Sequence, residues 1–211
     1  MYRRDSFTEN MSTPKYHTAA RMEAFSDGVF AIIITIMVLE LRPPHGASLA
    51  ELQSVLPKLL SYILSFTMLI IYWNNHHHLL HTVRQPTANI MWANAHLLFW
   101  LSLVPFATAW MGEHYRDTAP AAIYGGVCLA CAIAWLPLQR AIVSAEGDTP
   151  LLSKALGRDL KGKISPIMYV LAIVGAIVST WISYALIAGV ALLWIVPDRR
   201  IERHLNASGT G

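Results

Sequence analysis

Six apolar stretches, most of them long enough to cross a bilayer, dominate this sequence of 211 residues. A transmembrane helix needs roughly 20 largely apolar residues, and prolines or clustered charges separate most of the stretches. The predicted helices are 22–41, 55–79, 89–111, 119–142, 164–181 and 183–196. The last of them is short for a full crossing. The sequence therefore predicts an all-α membrane protein with six transmembrane helices.

The composition argues against a soluble globular domain. Hydrophobic residues make up 55% of the chain and charged residues only 14%, whereas an ordinary soluble domain is about 25% charged. So much apolar surface exceeds what one small core can bury, so a lipid bilayer is an expected partner. Cys128 and Cys131 lie one helical turn apart in an apolar stretch, and we expect them to pack rather than to pair or bind a metal.

The basic residues predict the orientation of the helices. Of the 16 Lys and Arg residues, three fall in the segments on one side of the membrane, which leaves 13 on the other. The three are Arg42, Lys58 and Arg116. By the positive-inside rule the richer side is cytoplasmic, and an even number of crossings returns both termini to it. Topology thus explains the net charge of +3, and we expect no nucleic-acid partner.

This topology divides the chain into three parts. We expect residues 1–20 to form a flexible cytoplasmic arm, 21–198 the six-helix transmembrane domain and 199–211 a cytoplasmic tail. The arm lacks the apolar centre of a secretory signal peptide.

Two polar clusters interrupt the apolar pattern at the same membrane face. One, with Arg21, Ser26 and Asp27, opens the first helix, and the other, 73–81, closes the second and contains four histidines. Polar groups inside a span are costly and are therefore candidates for function. Asp27 and a histidine of the second cluster could pair and share the cost of desolvation. An ordinary interfacial helix start explains Ser26 and Asp27 equally well.

The first predicted helix has two distinct faces when it is projected at 100° per residue. A branched aliphatic stripe occupies one face, and acidic and aromatic residues occupy the other. The first face carries Gly28, Ile32, Thr35, Ile36 and Leu39, and the second carries Glu23, Asp27, Phe30 and Ile34. From the pattern alone such a stripe is more often simple packing than a gate. If the second face contacts a neighbouring helix, the first face is left free.

The motif Arg21-x-x-x-Phe25-Ser26-Asp27-Gly28-Val29-Phe30-Ala31-Ile32-x-Ile34-Thr35 closely resembles the opening helix of the bacterial transmembrane protein 175 family, relatives of the endolysosomal potassium channel of animals. Trp73-x-x-His76-His77 and the ending Trp194-x-x-Pro197-Asp198-Arg199-Arg200 are also similar to that family. The resemblance implies a multi-pass protein of the bacterial inner (cell) membrane that is a channel and not an enzyme. The family more often has a small residue at position 33. We expect the bulkier Ile33 of this chain to alter helix packing or pore width.

The resemblance implies a homotetramer with four copies of the first helix around a central pore. The animal form has two six-helix repeats per chain, and this sequence has one. Ile32, Ile36 and Leu39 match the hydrophobic constriction, and Thr35 matches the layer that favours K⁺ modestly over Na⁺. No Thr-Val-Gly-Tyr-Gly carbonyl filter occurs in the sequence. The residues expected to anchor the first helix are Arg21, Phe25, Ser26, Asp27, Trp73, His77 and His78, with His77 the favoured partner of Asp27.

Two further functions remain open at this point. Asp27 and the histidines could relay protons in a proton channel or a proton-coupled transporter, although no internal repeat supports a transporter. Alternatively, histidines could bind zinc or copper; the candidates are His76, His77, His78, His81 and His96. Consecutive histidines on a helix point about 100° apart, so one site cannot use all three. We therefore expect no resident metal or cofactor, and K⁺ only as the permeant ion.

Overall fold

The computed structural model describes residues 17–44, 46–147 and 160–195. These residues form seven α-helices and no strand. The helices are α1 (His17–Leu39), α2 (Leu49–Leu80), α3 (Ala88–Ser102), α4 (Val104–Glu113), α5 (Thr118–Glu146), α6 (Leu160–Val178) and α7 (Thr180–Ile195). The all-α prediction is confirmed. The expected arm lies almost entirely outside the described residues, and the expected tail lies wholly outside them.

The predicted helix 89–111 is wrong in one respect, because the structure divides it into α3 and α4 at Leu103. Pro105 lies in the first turn of α4 and has no N–H to donate to the carbonyl of Leu101. The two pieces still form one apolar span, Ala88–Glu113. Proline thus breaks the hydrogen-bond ladder without ending the crossing.

The second helix begins six residues earlier than predicted, at Leu49 rather than at residue 55. The Ser48 side chain accepts a hydrogen bond from the Glu51 N–H at 3.3 Å and so caps the first turn. Pro57 lies within this helix. The apolar pattern alone missed the start, because the first turns of α2 are exposed and partly polar.

Five helices of the described chain are long and apolar enough to cross a membrane, which makes this a multi-pass membrane protein. The shorter apolar helix α7, 16 residues within the described range, follows α6 after a single residue. A sixth crossing stays a prediction.

The helices are packed around α5, which contacts α3, α4, α6 and α7. Gly125 permits a close approach of α5 and α6, since a Cβ there would lie 3.1 Å from Ile173 Cγ1. Cys128 and Cys131 are buried thiols, as the apolar pattern predicted. At the edge of this bundle, α1 lies against α2, α3 and α4. This peripheral position leaves one side of α1 uncovered by the other described helices.

Candidate functional site: the two faces of the first helix

The inner face of α1, defined here as Ser26, Phe30, Ile33 and Met37, is buried against the chain's own helices. Each of these four residues is at most 3% exposed. Their spacing of four, three and four residues places them on one side of a helix. Ile33, the bulky residue of the motif, therefore contributes to packing within the subunit.

The outer face of α1, defined here as Gly28, Ile32, Thr35, Ile36 and Leu39, is exposed in the single chain. Ile32 is 59% exposed, Ile36 45% and Leu39 79%. A Cβ added to Gly28 would have no neighbour within 4 Å. The structure therefore brings the predicted constriction residues and Thr35 together on one uncovered surface.

Thr35 bonds with its own helix. Its hydroxyl donates to the carbonyl oxygen of Ile32 at 2.9 Å. Because this bond uses the only hydroxyl hydrogen, the oxygen lone pairs remain available as acceptors on the outer face. This oxygen can act as a ligand for a partly dehydrated cation. The hydroxyl has no free hydrogen to donate to an anion.

Asp27 binds a tryptophan where a histidine was expected. The Trp73 indole Nε1–H donates to Asp27 Oδ1 at 2.9 Å. The favoured partner His77 lies instead beside Glu23, with its Nδ1 3.0 Å from Glu23 Oε1. The expected pairing of Asp27 with His77 is thus wrong, because position 73 lies one turn before position 77 on α2 and faces Asp27.

The other expected anchoring residues lie on the exposed side of this region. His78 is exposed, with its ring centroid 5.8 Å from that of His77. Arg21 is exposed, and Phe25 is 64% exposed. Their assignment as anchors of α1 stays a prediction.

A buried hydrogen-bond chain links three helices beneath Asp27. Sequence reasoning missed Asn94, and it named His76 only in the family motif and as a metal candidate. His76 Nε2 donates to Asn94 Oδ1 at 2.7 Å, and Asn94 Nδ2 donates to Ser26 Oγ at 2.9 Å. Ser26 in turn donates to the Met22 carbonyl at 2.9 Å. The sequence could have identified Asn94 by its spacing, which places it on one face of α3 with Ile90, Leu97 and Leu101. All four residues are buried in the structure.

Three potential metal ligands meet at the start of α1. Oxygen and nitrogen atoms of Glu23, His77 and His81 lie within 4.8 Å of one another. His81 was among the histidines considered from the sequence, whereas Glu23, from another helix, was not. This juxtaposition depends on how α1 packs against α2.

Comparisons with known proteins agree with this architecture. Residues 21–105 match the family described as "Endosomal/lysosomal potassium channel TMEM175". A potassium channel of Chryseobacterium sp. (strain P1-3) is 50% identical over 189 residues, which are 90% of this chain and 98% of that protein. The human endosomal/lysosomal proton channel TMEM175 is 31% identical over 99 residues, 41% of this chain and 20% of that protein.

A solved structure shares the fold. The crystal structure of a lysosomal potassium-selective channel TMEM175 homolog from Chamaesiphon minutus superposes with a TM-score of 0.75 at 28% identity. The match covers 85% of this chain and 97% of that one. These matches show that the chain belongs to the TMEM175 family, whose members are membrane ion channels and not enzymes.

Proposed function

We propose that this chain is a potassium channel, modestly selective over sodium, whose pore is lined by α1 from four copies. The observation that carries the proposal is the outer face of α1, where three aliphatic residues and one hydroxyl are exposed in the part of the chain that the structure describes. The similarity to proteins named as potassium channels supports K⁺ as the permeant ion.

A single helix cannot enclose a pore, so the outer face needs partners. A closed ring of identical subunits is the commonest way to repeat one surface around an axis. In a homotetramer, the inner face keeps each α1 on its own subunit while the four outer faces meet at the centre. The alternative is that this exposed apolar face contacts lipid. The experiment below distinguishes a pore-lining face from a lipid-facing one.

The aliphatic residues of the outer face provide a gate. Ile32 and Ile36 lie four residues apart, so their rings would stand about 6 Å apart along the pore. A narrow ring of branched side chains blocks ions by dewetting, because an ion would lose water without gaining a replacement ligand. A small widening of the ring at Ile32, Ile36 or Leu39 readmits water and ions.

Thr35 provides the selectivity layer between the two isoleucine rings. Its hydroxyl hydrogen is held by the Ile32 carbonyl, so four hydroxyl oxygens would present lone pairs to a passing cation. These oxygens replace part of the hydration shell. Potassium holds its shell less tightly than sodium, which makes the partial dehydration easier for potassium and the resulting preference modest.

The polar groups at the start of α1 hold the pore helix and do not bind the permeating ion. The Asp27–Trp73 bond and the buried Ser26–Asn94 bond fasten α1 to α2 and α3. We assign Arg21, Phe25, His77 and His78 to the same anchoring region. Together these contacts keep the outer face directed to the axis.

The proposed orientation rests on charge and the proposed location on the relatives. By the positive-inside rule, we assign the side with the 13 basic residues, and both termini with it, to the cytoplasm. The similarity to a bacterial relative supports the inner membrane of a bacterium as the location. From the sequence we assign 21–198 to the channel domain, 1–20 to the arm and 199–211 to the tail.

The test is ion flux into liposomes containing the purified protein, with its tetrameric mass checked beforehand. Ile32→Asn should raise K⁺ flux several-fold, because an amide wets the constriction. Thr35→Ala should move the K⁺ over Na⁺ preference toward unity. Loss of all K⁺ flux in a folded wild-type tetramer would contradict the proposal.

Two residues of α2 provide matched controls for these variants. Ile63 is 50% exposed, and the Thr67 hydroxyl donates to the Ile63 carbonyl at 2.8 Å, as Thr35 does to Ile32. Ile63→Asn and Thr67→Ala should leave flux and preference unchanged. Equal effects on both helices would mean that α1 has no special relation to the pore.

A proton channel is the second candidate, favoured by the name of the human relative and by the polar groups at the start of α1. The same liposomes, loaded with a pH-sensitive dye, distinguish the two. A proton current in a pH gradient without K⁺ flux would favour this candidate, whereas K⁺ flux that needs no pH gradient favours the potassium channel.

A further inference from the structure

We propose that Glu23, His77 and His81 bind one first-row transition-metal ion, of which Zn²⁺ is the best fit, and that the ion links α1 to α2. Glu23 belongs to α1 and the two histidines to α2. Their ligand atoms lie within 4.8 Å of one another. This proposal revises the expectation, made from the sequence, that the chain binds no resident metal.

The spacing of the three side chains is close to that of a tetrahedral zinc site. His77 Nδ1 and His81 Nε2 lie 3.0 and 3.4 Å from Glu23 Oε1, and one ligand atom from each of the three residues lies within 4.8 Å of the other two. Bonds of 2.0–2.1 Å in a tetrahedral site separate neighbouring ligand atoms by about 3.3 Å. Small side-chain rotations therefore suffice to admit an ion.

The histidine pair has the spacing of known zinc-binding helices. His77 and His81 are four residues apart and lie on one face of α2, as do the two histidines of the helical His-Glu-x-x-His motif. Glu23 completes a set of two imidazoles and one carboxylate, which is typical of zinc sites that leave a fourth position for water. This donor set disfavours Mg²⁺, which prefers oxygen ligands.

The side chains of the site are partly exposed, and one of its ring nitrogens has no hydrogen-bond partner in the described structure. The side chains of Glu23, His77 and His81 are 23%, 35% and 60% exposed. His77 Nδ1, although near Glu23, has no aligned hydrogen bond and is buried. An unpartnered nitrogen next to a carboxylate is available to a metal ion at a lower cost than one already hydrogen-bonded.

The consequence would be a clamp at the start of the pore helix. Glu23 precedes Ser26 and Asp27 by about one turn, so a bound ion would fix this turn of α1 on the end of α2. The polar contacts between α1 and α2 there are one exposed hydrogen bond and two histidine–carboxylate contacts. The ion would add metal–ligand bonds between α1 and α2. These bonds would form whether or not the protein conducts potassium.

The experiment uses the full chain in detergent, with any affinity tag removed and bound metal stripped by a chelator. Calorimetric titration with ZnCl₂, followed by dialysis and metal analysis, should give one Zn²⁺ per chain, and MgCl₂ should give none. His81→Gln and Glu23→Gln should each weaken Zn²⁺ binding at least tenfold. Zn²⁺ should raise the melting temperature of the wild type and not that of either variant.

His78→Gln and His96→Gln are the matched controls, because both histidines are exposed and lie outside the triad. They should retain wild-type binding. Absence of Zn²⁺ binding by the wild type, or unchanged binding by His81→Gln and Glu23→Gln, would overturn the proposal. Melting in chelator checks the fold of every variant, and since no flux is measured, failure here is distinct from failure of the channel proposal.

Discussion

The inner and outer faces of α1 are both apolar, yet they have opposite environments. Phe30 and Ile33 on the inner face are at most 3% exposed, whereas Ile32 on the outer face is 59% exposed. Hydrophobicity does not distinguish them, because lipid, protein and a dewetted pore all accept aliphatic side chains. The hydrogen bonds distinguish the two faces, because Ser26 accepts a bond from Asn94 of another helix, whereas Thr35, among the described residues, bonds to its own helix.

The largest expected difference between the faces comes from Phe30 and Ile32. Phe30 is 1% exposed and Ile32 is 59% exposed on the same helix. Phe30→Ala leaves a cavity and should lower the free energy of unfolding by about 3 kcal/mol. Ile32→Ala, the control on the outer face, should have little effect on the single chain. Thermal unfolding in detergent checks both, and equal losses would contradict the division into two faces.

Two hydroxyls provide the next comparison. Ser26→Ala leaves the Asn94 side-chain N–H buried without an acceptor, so we expect a loss of about 1–2 kcal/mol in the free energy of unfolding. Thr35→Val removes a bond within one helix turn and should change it by less than about 0.5 kcal/mol. The measurement is again thermal unfolding. If Thr35→Val were the more damaging variant, the outer face would be buried in the subunit.

The boundary between the faces is tested by a double-mutant cycle. Asp27→Ala and Trp73→Phe each remove the partly exposed bond between these side chains. A coupling energy of about 0.5–1 kcal/mol is expected, typical of one hydrogen bond. A cycle of Asp27→Ala with His77→Gln should give a smaller value. The opposite order would restore His77 as the partner of Asp27.

The smallest effect is expected from Gly28→Ala on the outer face. Its new Cβ would meet no atom of residues 17–44, 46–147 or 160–195 within 4 Å, so flux and tetramer mass should be retained, with a stability change of at most about 1 kcal/mol. Gly125→Ala is the contrast, because Ile173 must move to accommodate it. Loss of the tetramer in Gly28→Ala would show that the outer face contacts another copy there rather than a water-filled pore.

Much of the fold could be predicted from local pattern alone. Runs of apolar residues located the helix ends to within six residues, and the two faces of the first helix were visible at 100° per residue. The break at Leu103 was missed, although Pro105 was a visible cause. The resemblance of the Phe25-Ser26-Asp27 motif also identified the family correctly.

Partners across helices could not be predicted in the same way. The sequence suggested a histidine for Asp27, but neighbouring positions on α2 differ by about 100°, and a small rotation of that helix changes which of them faces α1. The structure selected Trp73 for Asp27, His77 for Glu23 and His76 for Asn94. The rotation of α2 relative to α1 cannot be read from a single sequence.

By itself, the sequence determined that this chain lies in a membrane as apolar helices, because a bilayer requires long apolar spans whose backbone bonds are satisfied within the helix. It also determined the stripe of Ile32, Thr35, Ile36 and Leu39, since helical periodicity is a local property. Only the tertiary structure decided that this stripe is the uncovered side and that Glu23 meets His77 and His81. Those outcomes depend on the packing of α1 against α2, α3 and α4, which joins residues distant in the chain.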